Sequence, residues 1–155
     1  MNKIIGSLII LASILLPMQL GMDLSGFIDI PSLMIVLGIS LGVIIVRHGN
    51  GAIKQLLDGD NNLEVVNSLF TAAYCAAIIA NLVAMITLLS QLGDPKAVGP
   101  AIAVAILSTF YATLITLLCI SLNKQFTIDG GKGLLILAPI IMGGIFYVGA
   151  LSITV

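Results

Sequence analysis

Polar residues in this chain are confined to short gaps, and between the gaps run five long apolar stretches: Ile4–Leu20, Pro31–Val46, Asn67–Leu92, Pro100–Leu122 and Leu134–Ile153. Each is long enough, or nearly so, to cross a hydrocarbon layer of about 30 Å as an α-helix. The first two are short and must stand almost upright or draw on their flanks. The pattern predicts an all-α integral membrane protein: a single membrane domain over residues 1–155 with about five transmembrane helices. The last stretch is the least regular, because Pro139 and the pair Gly143-Gly144 also suit a broken or partly inserted helix.

Composition agrees with the pattern. Hydrophobic residues make up 59% of the chain and charged ones 8%, with a mean hydropathy of +1.22. A water-soluble core of this size needs a charged shell, and six Lys+Arg with seven Asp+Glu cannot provide one. Lys3 followed by an apolar run resembles a signal peptide, but no small-x-small cleavage site follows Leu20, so an uncleaved first helix is expected. Five of the six basic residues (Lys3, Arg47, Lys54, Lys124 and Lys132) fall on one side of a five-span topology, and only Lys96 falls on the other. The positive-inside rule then places the N-terminus in the cytoplasm.

The acidic residues are placed just as unevenly. Asp23, Asp29, Asp58, Asp60, Glu64, Asp94 and Asp129 all lie in the polar gaps or within a residue or two of an apolar run's end. The spans therefore bring no carboxylate of their own to pass a proton or hold a cation. Cys75 and Cys119 sit in separate spans without His or Cys at ligand spacing and are expected to be buried free thiols. His48, beside Arg47 at a helix end, suits a solvated or headgroup position. The run Gly130-Gly131-Lys132-Gly133 lacks the strand–loop–helix setting of a phosphate loop and is expected to be a turn. No nucleophile–base pair, metal-ligand set or basic nucleic-acid patch is present, so neither an enzyme, a resident cofactor nor a nucleic-acid partner is expected.

The third and fourth spans carry the informative pattern. Along the third, Ala73, Ala77, Ala80, Asn81, Ala84, Thr87 and Gln91 recur at three- and four-residue steps. Along the fourth, Ala101, Ala105, Ser108, Thr109, Ala112, Thr113 and Thr116 do the same. Small residues let helix backbones approach in lipid and hydroxyls can bond back to their own helix, so close packing accounts for Ala77, Ala80, Ala84, Ala105 and Ala112. The glycine spacing Gly38–Gly42 in the second span suits the same purpose. Asn81 is different: a midspan amide left unpaired costs several kcal/mol, so it needs a polar partner or a wet surface. Packing and the lining of an ion path are both compatible with the stripe.

Two segments resemble a known family. Phe27-Ile28-Asp29-Ile30-Pro31-Ser32-Leu33-Met34-Ile35-Val36-Leu37-Gly38 is similar to the entry to the second membrane helix of flagellar motor stator A-subunits. The stretch from Gly93-Asp94-Pro95-Lys96 through Ser108-Thr109-Phe110-Tyr111 resembles that family's loop between helices three and four and the first half of helix four. The TonB and Tol energising proteins of the wider MotA/TolQ/ExbB superfamily are similar in architecture but less so in these stretches. The resemblance implies a helical bundle assembled into an oligomeric ring, a homopentamer, around a single-span MotB/ExbD-like partner whose membrane-embedded Asp carries H+ or Na+. It implies that Asn81 stands where the family has a pathway threonine and that Ser108 and Thr109 match its hydroxyl pair; with Thr113 of the same stripe, these are the candidates for the polar lining. Asp29, Pro31, Asp94 and Pro95 fall in the outer turns, where an Asp-Pro turn is preferred to an ion role for Asp94.

Departures are large. Stator A-subunits carry a charged cytoplasmic domain between helices two and three, and here that gap runs only from Arg47 to about Val66. Tyr74 and Leu122 replace expected prolines, Ala80 and Ala84 replace glycines, and an additional apolar segment follows Lys132. Without a rotor-contacting domain, torque on a flagellar rotor is not expected. The expected role is that of a compact stator-like subunit of the bacterial inner membrane, multi-pass in the lipid bilayer; the competing expectation is a non-transporting membrane scaffold.

Overall fold

The computed structural model describes residues 2–21, 24–58, 63–91, 94–123, 126, 128 and 132–154. Among the described residues six α-helices follow in chain order: α1 (Asn2–Gly21), α2 (Ile30–His48), α3 (Gly51–Asp58), α4 (Leu63–Ser90), α5 (Pro95–Leu122) and α6 (Lys132–Thr154). A short 3-10 turn, Leu24–Phe27, leads into α2. Four of them are long and apolar enough to cross a membrane: α2, α4, α5 and α6. Helix α1 is 20 residues long, but its apolar stretch is the shorter Leu8–Pro17, and it meets the bundle chiefly through α5.

Helix α4 is the hub, packing against α2, α5 and α6. It contains 28 residues, as does α5, giving each a length of about 42 Å at 1.5 Å per residue. Both start earlier than the apolar pattern suggests. The third span was expected from Asn67, but Val65 and Val66 are already buried, because Val65 packs with Ile44 of α2 and Ala52 of α3. The fourth was expected from Pro100, yet the true start is the Asp94 cap. The Asp94 carboxylate accepts the Lys96 N–H at 3.0 Å, and Pro95 sits at the first helical position, where its missing donor costs nothing. Pro100 lies inside the helix; the carbonyl it leaves without a donor is that of Lys96, whose residue is exposed at the helix end.

Two apolar clusters join α4, α5 and α6. One contains Val66, Phe70, Ala73, Tyr74, Ala77, Ala112, Cys119, Phe126 and Ala138. The other contains Ala84, Leu88, Val98, Ala101, Ala105 and Ile145. Alanine dominates the contact because, in lipid, helices gain most from close backbone approach and dispersion. Helix α3 folds back beneath α2 and α4, burying Ala52; nothing in the apolar pattern had marked it.

The α6 helix is continuous through Pro139 and Gly143-Gly144, correcting the expectation that these residues suit a break. All three are exposed, so the bond lost at Pro139 lies on an outer face. The phosphate-loop-like run is also not wholly a turn: Lys132 and Gly133 begin α6, while Gly130 and Gly131 fall outside the described residues. With α1 counted as a crossing and a cytoplasmic N-terminus, α6 ends outside. A reporter fused after Val155 is then expected to be active only outside the cytoplasm, and cytoplasmic activity would remove one crossing.

The start of α2 is fixed by a second Asp cap. The Asp29 carboxylate accepts the Ser32 N–H at 2.9 Å and the Ser32 hydroxyl, while Pro31 occupies the first turn. Tyr111 of α5 locks this entry in place. Its hydroxyl accepts the Asp29 N–H at 3.0 Å and donates to the Phe27 carbonyl at 2.7 Å. Tyr111→Phe strands both backbone groups and is expected to lower stability by about 1–3 kcal/mol, read as a drop in unfolding temperature in detergent; an unchanged transition would mean water replaces the hydroxyl.

Candidate functional site

Asn81 sits on the α4 stripe Ala77–Asn81–Ala84, between the two apolar clusters, and is fully buried. Its Nδ2 donates to the Thr109 hydroxyl of α5 at 3.3 Å. Its Oδ1 is buried with no hydrogen-bond partner. Alanines on both sides leave room for the amide but supply no donor, so the oxygen is an orphan acceptor, a state that costs about 1–3 kcal/mol. Natural sequences rarely keep such a group without reason.

The serine and threonine hydroxyls of α5 spend their hydrogens on their own helix. Ser108 donates to Val104 O at 2.7 Å, Thr109 to Ala105 O at 3.1 Å, Thr113 to Thr109 O at 2.9 Å and Thr116 to Ala112 O at 2.9 Å. Each hydroxyl oxygen keeps lone pairs for another partner. Where Asn81 meets Thr109, the Thr109 oxygen and the orphan Asn81 oxygen keep acceptor capacity, which suits a cation, or water that solvates one.

The four residues expected to line a path therefore separate. Asn81 and Thr109 meet. Thr113 lies one turn from Thr109 and is exposed, sharing the outer face of α5 with Ile106 and Ile120. Ser108 is fully buried on the flank shared with Val104 and Tyr111. That flank faces the entry to α2: the Ser32 hydroxyl lies 3.3 Å from Val104 O.

Among the residues expected to serve packing, Ala77, Ala80, Ala84, Ala105 and Ala112 are buried. Gly38 and Gly42 make no close approach among the described residues: a Cβ at either meets no atom within 4 Å. Close approach occurs instead at Gly149 of α6, where an added Cβ would stand 3.2 Å from Ile102 Cδ1. Asp29 and Asp94 act as helix caps. Pro31 is exposed, and Pro95 opens α5.

Tyr111 escaped the sequence reading, although a tyrosine hydroxyl inside an apolar span is itself a signal that a polar partner is near. The tie between His48 Nε2 and Ser68 Oγ, 2.9 Å apart, also went unforeseen; it joins the C-terminal end of α2 to the N-terminal part of α4. Among the described residues no three His, Cys, Asp or Glu side chains form a metal-binding group.

The chain is similar to the chemotaxis protein PomA of Vibrio alginolyticus, with 46% identity over 39 residues. The match covers 25% of this chain and 15% of PomA. No family model matches the chain, and no solved structure matches it significantly. The structure is that of an all-α membrane protein, and the likeness to PomA covers only a short stretch of either chain.

Proposed function

We propose that this chain is the ion-path-forming subunit of a stator-like complex of the bacterial inner membrane, driven by the ion-motive force. It assembles as a homopentamer with its N-terminus in the cytoplasm, around a single-span MotB/ExbD-like partner. The partner supplies the membrane-embedded Asp that this chain's spans lack, and H+ or Na+ flow alternately neutralises that acid and frees the partner helix to turn. The observation that carries the proposal is the Asn81–Thr109 pair: a polar contact at mid-height between α4 and α5, continued along α5 by acceptor oxygens whose hydrogens are already committed. The partial likeness to PomA supports the same reading.

The test is ion flux through the complex as isolated from membranes, reconstituted in liposomes and followed with proton- and sodium-sensitive dyes. Thr109→Val keeps the shape and removes the hydroxyl. It is expected to lower flux at least tenfold with assembly intact, and unchanged flux would return Thr109 to packing. A second reading, a non-transporting membrane scaffold, is favoured by one observation: Asn81 and Ser108 are fully buried within a single subunit, where a polar residue can serve packing specificity alone.

A further inference from the structure

Helix α6 covers the residue on which the proposed ion path depends. Ala138 packs in the cluster with Ala77 and Ala112. Two turns further along, Ile145 packs in the cluster with Ala84 and Ala105, and Gly149 lies against Ile102, Val98 and Leu88. Asn81 falls between Ala77 and Ala84 on the same α4 stripe. The segment of α6 between Ala138 and Ile145 therefore lies over it, and α6 fills the groove between α4 and α5. The cover is apolar and offers the Asn81 oxygen no donor.

Of the four span-length helices α6 is the least buried; Ile136, Leu137, Ile140, Phe146, Tyr147 and Leu151 all face outward. Its inward contact combines the small residues Ala138 and Gly149 with the fully buried Ile145. The arrangement holds a built-in penalty, because it strands a buried acceptor that a wetted arrangement would pair. A ligand or water that pairs this acceptor favours any arrangement that admits it.

We propose that α6 is a movable cover: the described arrangement is closed, and Asn81 Oδ1 meets water or an ion only when α6 shifts out of the α4–α5 groove. The inference stands on packing and takes its functional meaning from the ion-path reading. Spin labels at the exposed positions Ile86→Cys on α4 and Ile140→Cys on α6, in a Cys75→Ala, Cys119→Ala background, report the separation of the two helices. Labelled subunits are diluted into unlabelled ones so that distances arise within one chain. Pulsed dipolar spectroscopy is expected to show two distances. Asn81→Ala and Asn81→Val, which remove the stranded oxygen, are expected to reduce the longer population several-fold. A single distance throughout, or a longer population untouched by either substitution, overturns the cover. The readout involves no ion flow, so failure of the ion-path reading shows separately, as flux that survives loss of the Asn81 amide.

Discussion

Asn81→Ala is expected to leave the subunit about as stable as the natural chain while lowering ion flux a hundredfold or more. The stability side follows from the pairing. The substitution gives up one hydrogen bond, from Nδ2 to Thr109, worth about 0.5–1.5 kcal/mol net. It also removes a buried, unpartnered oxygen whose desolvation costs about 1–3 kcal/mol. Thr109 is not stranded, since its hydroxyl still donates to Ala105 O. The void left beside the alanines offsets part of the gain, so the balance lies near neutral, from a loss of about 1 kcal/mol to a gain of about 2 kcal/mol. The functional side follows from position: in the proposed path, Asn81 carries the acceptor at the narrow meeting of α4 and α5. Thermal unfolding in detergent and liposome flux on the same preparation give the two readings. A destabilised protein with normal flux would make Asn81 a structural residue and favour the scaffold.

Ala105→Leu is expected to destabilise the bundle by about 1–3 kcal/mol or prevent assembly. Ala105 is fully buried in the cluster that brings α4, α5 and Ile145 of α6 together. Three added carbons have nowhere to go without separating the helices. Gly38→Leu is the informative contrast. No atom lies within 4 Å of a Cβ at Gly38, so the isolated subunit is expected to tolerate leucine within about 0.5 kcal/mol. Any loss seen with Gly38→Leu in intact membranes then reports contacts made by another chain. A strongly destabilised isolated subunit would instead mean that α2 packs through its glycine face.

The all-α membrane class and the four long apolar helices were legible because bilayer-spanning segments must satisfy their backbones internally and face lipid, which leaves long apolar runs; the run Ile4–Leu20 instead holds only the shorter apolar stretch Leu8–Pro17. The ends were less legible. Hydropathy falls where side chains meet water, but a helix ends where its caps are. Asp94 therefore opened α5 several residues before the apolar run, and Val65 and Val66 carried α4 inward because α2 and α3 cover them. The Gly38–Gly42 spacing records a surface able to approach another helix, but spacing cannot say which helix, and within this chain none comes near. The small-and-polar stripe announced a seam at Asn81 and Thr109. It could not separate Ser108 from Thr109, adjacent residues that the 100° helical step turns toward different neighbours. Nor could it show that α6 packs in the same clusters as Ala77 and Ala84 of the stripe, since that depends on how the last helix folds back.

Subunit counting by native mass spectrometry on the complex extracted from membranes tests the central claim most directly. A stator-like complex predicts five copies of this chain with a co-purifying single-helix protein bearing an acid in its span. A monomer, or a dimer without such a partner, contradicts it and leaves the stripe on α4 and α5 as a packing surface.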